Sequence, residues 1–152
     1  RASIDYDFAS GDKSPTDGRF DRFERLFGGR RTDLGNTGIH GPLTPANVNA
    51  PGARVEFAPS QRLDFRLSYK AAYLASATDL WTDARLQDPS GKSGRFIGHS
   101  FDGRMRYWLV PGTVRGEIGA SALFPGCFAR TAPNAPMQNQ TLFGYGAVVL
   151  TF

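Results

Sequence analysis

The stretch "LDFRLSYK", residues 63–70, alternates without a break: Leu63, Phe65, Leu67 and Tyr69 fall on one side, Asp64, Arg66, Ser68 and Lys70 on the other. Successive side chains of a strand point to opposite faces, so this period of two makes the segment a strand with one greasy and one ionic surface. What covers the greasy surface decides the fold. A second sheet would make it the core of a sandwich; lipid would make it the outside of a barrel.

The same alternation recurs on both sides of this segment. Ile4, Tyr6 and Phe8 alternate with Ser3, Asp5 and Asp7, and Val55 and Phe57 with Arg54 and Glu56. Further on, Ile97, Phe101, Met105, Tyr107 and Leu109 alternate with Ser100, Asp102, Arg104 and Arg106, and Val114, Ile118, Ala120 and Ala122 with Arg115, Glu117 and Ser121. A last strand runs from Thr141 to Phe152. Eighteen glycines and ten prolines in 152 residues argue against long helices. The reading is one all-β domain, an antiparallel meander of six strands.

The connections sort by length. Residues 9–47, 75–95 and 124–140 are long, whereas "PSQR" at 59–62 and the Pro111–Gly112 pair are tight turns. Outer-membrane barrels have short turns on the periplasmic side and long loops outside, and a sandwich has no reason to sort its loops in this way. The ending "GYGAVVLTF", 144–152, fits the same picture: the last strand runs inward, Val148 and Leu150 face lipid, and Phe152 anchors at the rim. The competing class is a soluble all-β saccharide-binding module.

Composition sets the outer bounds. With 40% apolar and 21% charged residues the chain is of ordinary globular composition. No window nears the roughly 18 to 20 apolar residues of a spanning helix, which leaves barrels untouched. The first residue is Arg1, with no signal-like segment, so the chain reads as a mature or truncated piece. Cys127 is the single cysteine, so neither an internal disulfide nor a cysteine metal cluster is expected. A net charge of +4 points mildly to anionic partners, and without a basic run or a recognisable module nucleic acid is not among them.

Facing identifies the candidate residues. An Arg or Lys turned to lipid at mid-bilayer costs about 2–4 kcal/mol. Arg54, Arg66, Lys70, Arg104, Arg106 and Arg115 are therefore expected to line a lumen, together with Glu56, Asp64, Asp102 and Glu117. Arginines braced by carboxylates suit an anionic solute, because the guanidinium fork matches a carboxylate. These residues carry a small positive excess, which Asp5 and Asp7 cancel. Register adds detail: Glu56 should face Arg66 if Pro59 pairs with Leu63, and Arg106 should face Glu117, with Trp108 beside Arg115, if Val110 lies opposite Thr113.

No catalytic constellation is present. His99 and Ser100 are adjacent in one strand and point to opposite faces, and His40 lies far from His99 in sequence. "DKSPTDG" at 12–18 lacks the EF-hand order and reads as a turn with Asx-type hydrogen bonds. Trp81 and Trp108 are expected to pack loops or sit at the membrane interface. Neither an enzyme activity, a cofactor nor a metal is expected.

The stretches "YDFASGDKSPTDG" (6–18), "GRFIGHSFD" (94–102) and "FPGCF" (124–128), with a closing Phe, resemble in content and order the C-terminal part of the alginate export family of outer-membrane proteins. Ser100 and Cys127 depart from the residues usual there. The resemblance implies a β-barrel of the 18-stranded type. Residues 1–152 would be its C-terminal segment, with the strands preceding them missing from this chain. It further implies an acidic polysaccharide such as alginate as solute, outer-membrane lipid around the barrel, and recognition of the aromatic terminus by the barrel assembly machinery.

Overall fold

A computed structural model describes residues 1–14, 16–24, 34, 43–137 and 139–152. Six strands form one antiparallel sheet in sequence order: β1 (Ala2–Ala9), β2 (Val48–Ser60), β3 (Leu63–Tyr73), β4 (Phe96–Val110), β5 (Val114–Pro125) and β6 (Thr141–Leu150). Every expected strand is present, and the meander puts all long connections at one end and both tight turns at the other. Most of the first long loop, including His40, lies outside the described residues.

The tight end follows turn chemistry. Pro111 presets its own φ, Gly112 takes φ 76°, and Thr113 N–H donates to Val110 O at 3.0 Å, as a type II turn requires. The closing pair is Val110 with Val114, not Thr113, and an irregularity between Trp108 and Val110 absorbs the difference. At the other turn Leu63 pairs with Ser60, not Pro59, because the ladder shifts between Phe57 and Ser60. Beyond each shift the expected registers hold, with Glu56 opposite Arg66, Arg106 opposite Glu117 and Trp108 opposite Arg115.

The greasy side of the sheet is bare. Ile4 is 92% exposed, Leu67 63% and Val148 68%, and no second sheet packs there among the described residues. Aromatic residues gather toward its two ends. Tyr69, Tyr73, Phe96, His99, Phe101 and Phe124 stack at the loop end, with Tyr69 Oη 2.8 Å from His99 Nδ1, and Phe57 stacks on Phe65 near the turns. Aliphatic Val55, Leu67, Met105 and Ile118 lie between.

The packed core lies on the opposite, ionic side and only at the loop end. There Ala9, Val48, Ala50, Ala72 and Leu123 of the strands meet Leu74, Trp81, Leu86, Phe128 and Ala132 of the connections, all 8% exposed or less. Trp81 thus packs a loop, as expected. Two features of this corner were not anticipated. The third connection folds into a short helix, α1 (Cys127–Thr131), whose Phe128 is fully buried. Ile97 does not share the greasy side with Phe101: Tyr73 pairs with Phe96 and Ala72 with Gly98, so Ile97 is an extra residue, and it is fully buried in this core. Gly98 permits the bulge, with φ 151° and a backbone approach that leaves no room for a Cβ, which would come 2.2 Å from Phe124 O.

Candidate functional site on the ionic face

All ten residues expected to share a surface do so. Arg54, Glu56, Asp64, Arg66, Lys70, Asp102, Arg104, Arg106, Arg115 and Glu117 fall on one side of the sheet by pleat and register, with Asp5 and Asp7 beside them. The pleat dictates it, since each strand offers its polar positions at intervals of two and the registers bring them into line.

Nearly every cation on this face is braced. Arg54 contacts Asp5 at 3.2 Å, Arg66 contacts Glu56 at 2.9 Å and Lys70 pairs with Asp7. Lys70 reaches Asp7 by lying across Gly52, where a Cβ would come 2.8 Å from Lys70 Cγ. Asp64 serves two guanidiniums: Arg106 Nε donates to both its oxygens at 2.8 and 2.9 Å, and Arg104 Nη2 stands 3.6 Å away. Arg106 therefore faces Glu117 in the ladder but turns its charge the other way. Glu117 instead accepts from Tyr145 Oη at 2.8 Å and lies 4.0 Å from Arg115. Asp102 is buried and accepts from Ser100 Oγ at 3.4 Å.

Sharing Asp64 leaves a local surplus of positive charge. Arg104 sits directly opposite Arg66, its side chain is only 11% exposed, and its Nε meets no hydrogen-bond acceptor among the described residues. A buried donor without an acceptor is costly, and a charged one more so. Arg66, Arg104 and Arg106, with Arg54, Asp5 and Asp7, border a groove of about 540 Å³ along the ionic face. A shallower hollow of about 410 Å³ over Gly116 and Gly146 lies on the greasy side, where Met105, Ile118 and Val148 offer no converging donors.

Trp108 stands beside Arg115, as its register predicts, and not on the greasy side where an interface residue would lie. It is on the ionic face, with the Arg115 guanidinium 5.3 Å from its ring centre, a cation–π contact. Tyr145 was missed altogether. It lies over Gly119, its cross-strand partner, so closely that a Cβ there would come 2.3 Å from the ring. A glycine opposite an aromatic would have signalled the contact once the β5–β6 register was assigned.

The loops hold polar groups that alternation cannot reveal. Asp79 is 1% exposed and accepts hydrogen bonds from Arg22, from Asp12 N–H at 2.8 Å and from Leu80 N–H at 2.7 Å. Burial alone would raise its pKa, but Arg22 and the two backbone donors outweigh that and lower it. Asn47, with φ 49°, receives Ser76 N–H at 2.7 Å and donates to Ser76 O and Leu80 O. Asp12 accepts from Ser14 N–H at 3.1 Å, an Asx turn as expected. Among the described residues no group of three His, Cys, Asp or Glu side chains is placed to hold a metal ion, and no helix is long and apolar enough to cross a membrane.

Comparison with known proteins adds one finding: the family model described as alginate export matches residues 1–143. Neither a curated protein nor a solved structure matches the chain.

Proposed function

The chain belongs to the alginate export family, a family of outer-membrane transport barrels, and from that premise we propose that residues 1–152 are the C-terminal segment of one barrel of the 18-stranded type. Its ionic face lines the lumen and its bare greasy face meets lipid. The observation that carries the reading is the division of the sheet, with every strand cation on one side and Leu67, Ile118 and Val148 uncovered on the other. The aromatic bands toward both ends of the greasy side support it, because barrels carry aromatic girdles at the two interfaces. An isolated sheet of six strands would leave the outer edges of β1 and β6 unpaired, which calls for neighbouring strands of the same barrel.

The solute is an anionic polysaccharide or a smaller anionic saccharide. Its carboxylate would meet the groove bordered by Arg66, Arg104 and Arg106, where three guanidiniums gather around Glu56 and Asp64. Conduction needs binding that is favourable yet weak and repeated. The braced pairs meet that need: Glu56, Asp64 and Glu117 hold the guanidiniums in place and temper their field, so a polyanion passes from one moderate site to the next. The protein performs no bond chemistry of its own.

Reconstitution of the full-length protein in planar bilayers tests the proposal. Anion preference that falls when Arg66, Arg104 and Arg115 are replaced by Gln is the expected result. Cation preference indifferent to those changes would sink it.

A further inference from the structure

We infer that buried Asp79 and its half-buried partner Arg22 form a latch that fixes the second long loop across the loop end of the ionic face and so sets the size of solute that reaches the arginines. The inference rests on that face being a conducting lumen.

The position of the loop is the first support. At the loop end of the strands, residues pointing to the ionic side are sealed: Ala50 and Ala72 are 0% exposed and Leu123 5%. Their outward-pointing neighbours stay open, with Phe8 61% and Phe124 42% exposed. The covering groups are Leu74, Trp81 and Leu86 of the second loop and Phe128 of α1. These segments therefore fold inward over the ionic side instead of projecting beyond the sheet. Where the strands stop, the path for a solute is bordered by loop.

The second support is how that loop is held. Asp79 belongs to the second loop, and both Arg22 and Asp12 to the first. One carboxylate thus joins two connections that are separate in sequence. Around it, Thr78 Oγ1 donates to Lys13 O at 3.3 Å, and Asn47 ties the end of the first loop to Ser76 and Leu80 of the second. Gly11 lets the strands of this knot come together, since a Cβ there would lie 2.0 Å from Asn47 Oδ1. A buried charge is tolerated only while its partners are in place, and losing one leaves the other uncompensated. The knot should therefore open as a unit. Loop closures of this kind commonly control access to a site while leaving its chemistry alone.

The test uses the full-length protein in planar bilayers, comparing the parent with Asp79→Asn and Arg22→Gln. Single-channel conductance is measured together with the largest neutral oligosaccharide that passes and the anion-to-cation selectivity. A rise in conductance and in the size limit, with selectivity unchanged, is expected of both variants. Should Asp79→Asn fail to insert, Arg22→Gln decides, because it leaves the backbone bonds to Asp79 intact. Conductance and size limit equal to the parent's would overturn the latch while leaving the lumen reading standing. A parent protein that forms no channel would overturn both.

Discussion

Two apolar regions of this molecule have similar residues and opposite fates. Around Leu123, Ile97 and Phe128 the side chains are buried to 5% exposure or less; around Leu67, Ile118 and Val148 they are more than half exposed. Residue type does not separate them, for both are built from Leu, Ile, Val and aromatics. What differs is the supply of polar partners nearby. Over the first region the connections fold inward with their hydrogen bonds met by Asn47, Asp79 and one another. Over the second none of the described residues passes. A cover without hydrogen-bonding needs suits such a surface, and lipid would be that cover in the proposed barrel. A sheet's hydrophobicity therefore says that a face must be covered, and the loops say by what.

The contrast can be broken at either region. Phe128→Ala should have the largest effect, about 3–5 kcal/mol for the loss of a fully buried aromatic. Hydrogen exchange should locate the damage in residues 74–86 and 126–132, with the middle of β3 to β5 unchanged. Equal loss of protection throughout the sheet would mean that the two regions are one core.

Leu67→Arg comes next. Placed toward lipid it should cost the full-length barrel about 2–4 kcal/mol of folding free energy in vesicles, measured by denaturant titration. The control is Ser68→Arg, one residue along on the ionic face, which should cost much less. Similar values for both would refute lipid cover.

A smaller effect sharpens the ionic side. Tyr145→Phe removes the hydrogen bond to Glu117 but leaves the ring over Gly119, so a loss of about 0.5–1.5 kcal/mol is predicted from the same titration. Gly119→Ala would disturb the ring itself and should cost more than Tyr145→Phe, which separates packing from hydrogen bonding.

The gentlest probe is acid. The pKa of Asp79 is lowered in the folded protein, so its contribution is present above the ordinary 3.8 and is lost as pH falls through the depressed value. Protection of the 74–95 amides against exchange should stay level from neutral pH to that range and fall only below it. A loss of protection already near pH 6 would show that a different group controls the loops.

Alternation carried most of the fold and the candidate face. A strict period of two is written in each strand by its own residues, so Arg66 could be assigned its side from its immediate neighbours. Loop sorting gave the meander its two ends in the same local way. The failures occurred wherever one residue interrupts the period. Ile97 is placed by the bulge at Gly98, and a lone glycine inside a strand pattern is the available warning. Trp108 is an aromatic on a polar parity: register placed it beside Arg115 correctly, whereas residue type pointed to the membrane interface. Asp79 and Asn47 had no local signature, since the partners that tie them to other segments lie 57 to 67 residues away for the first and 29 to 33 for the second.

Asp64 has a consequence out of proportion to its size. Because it contacts both the Arg104 and the Arg106 head groups, its removal would take one anion away from two forks. In the proposed conduit a shared counter-ion would thus set the balance, and a single change at that position would turn it into a cationic trap that grips its cargo too firmly to let it go.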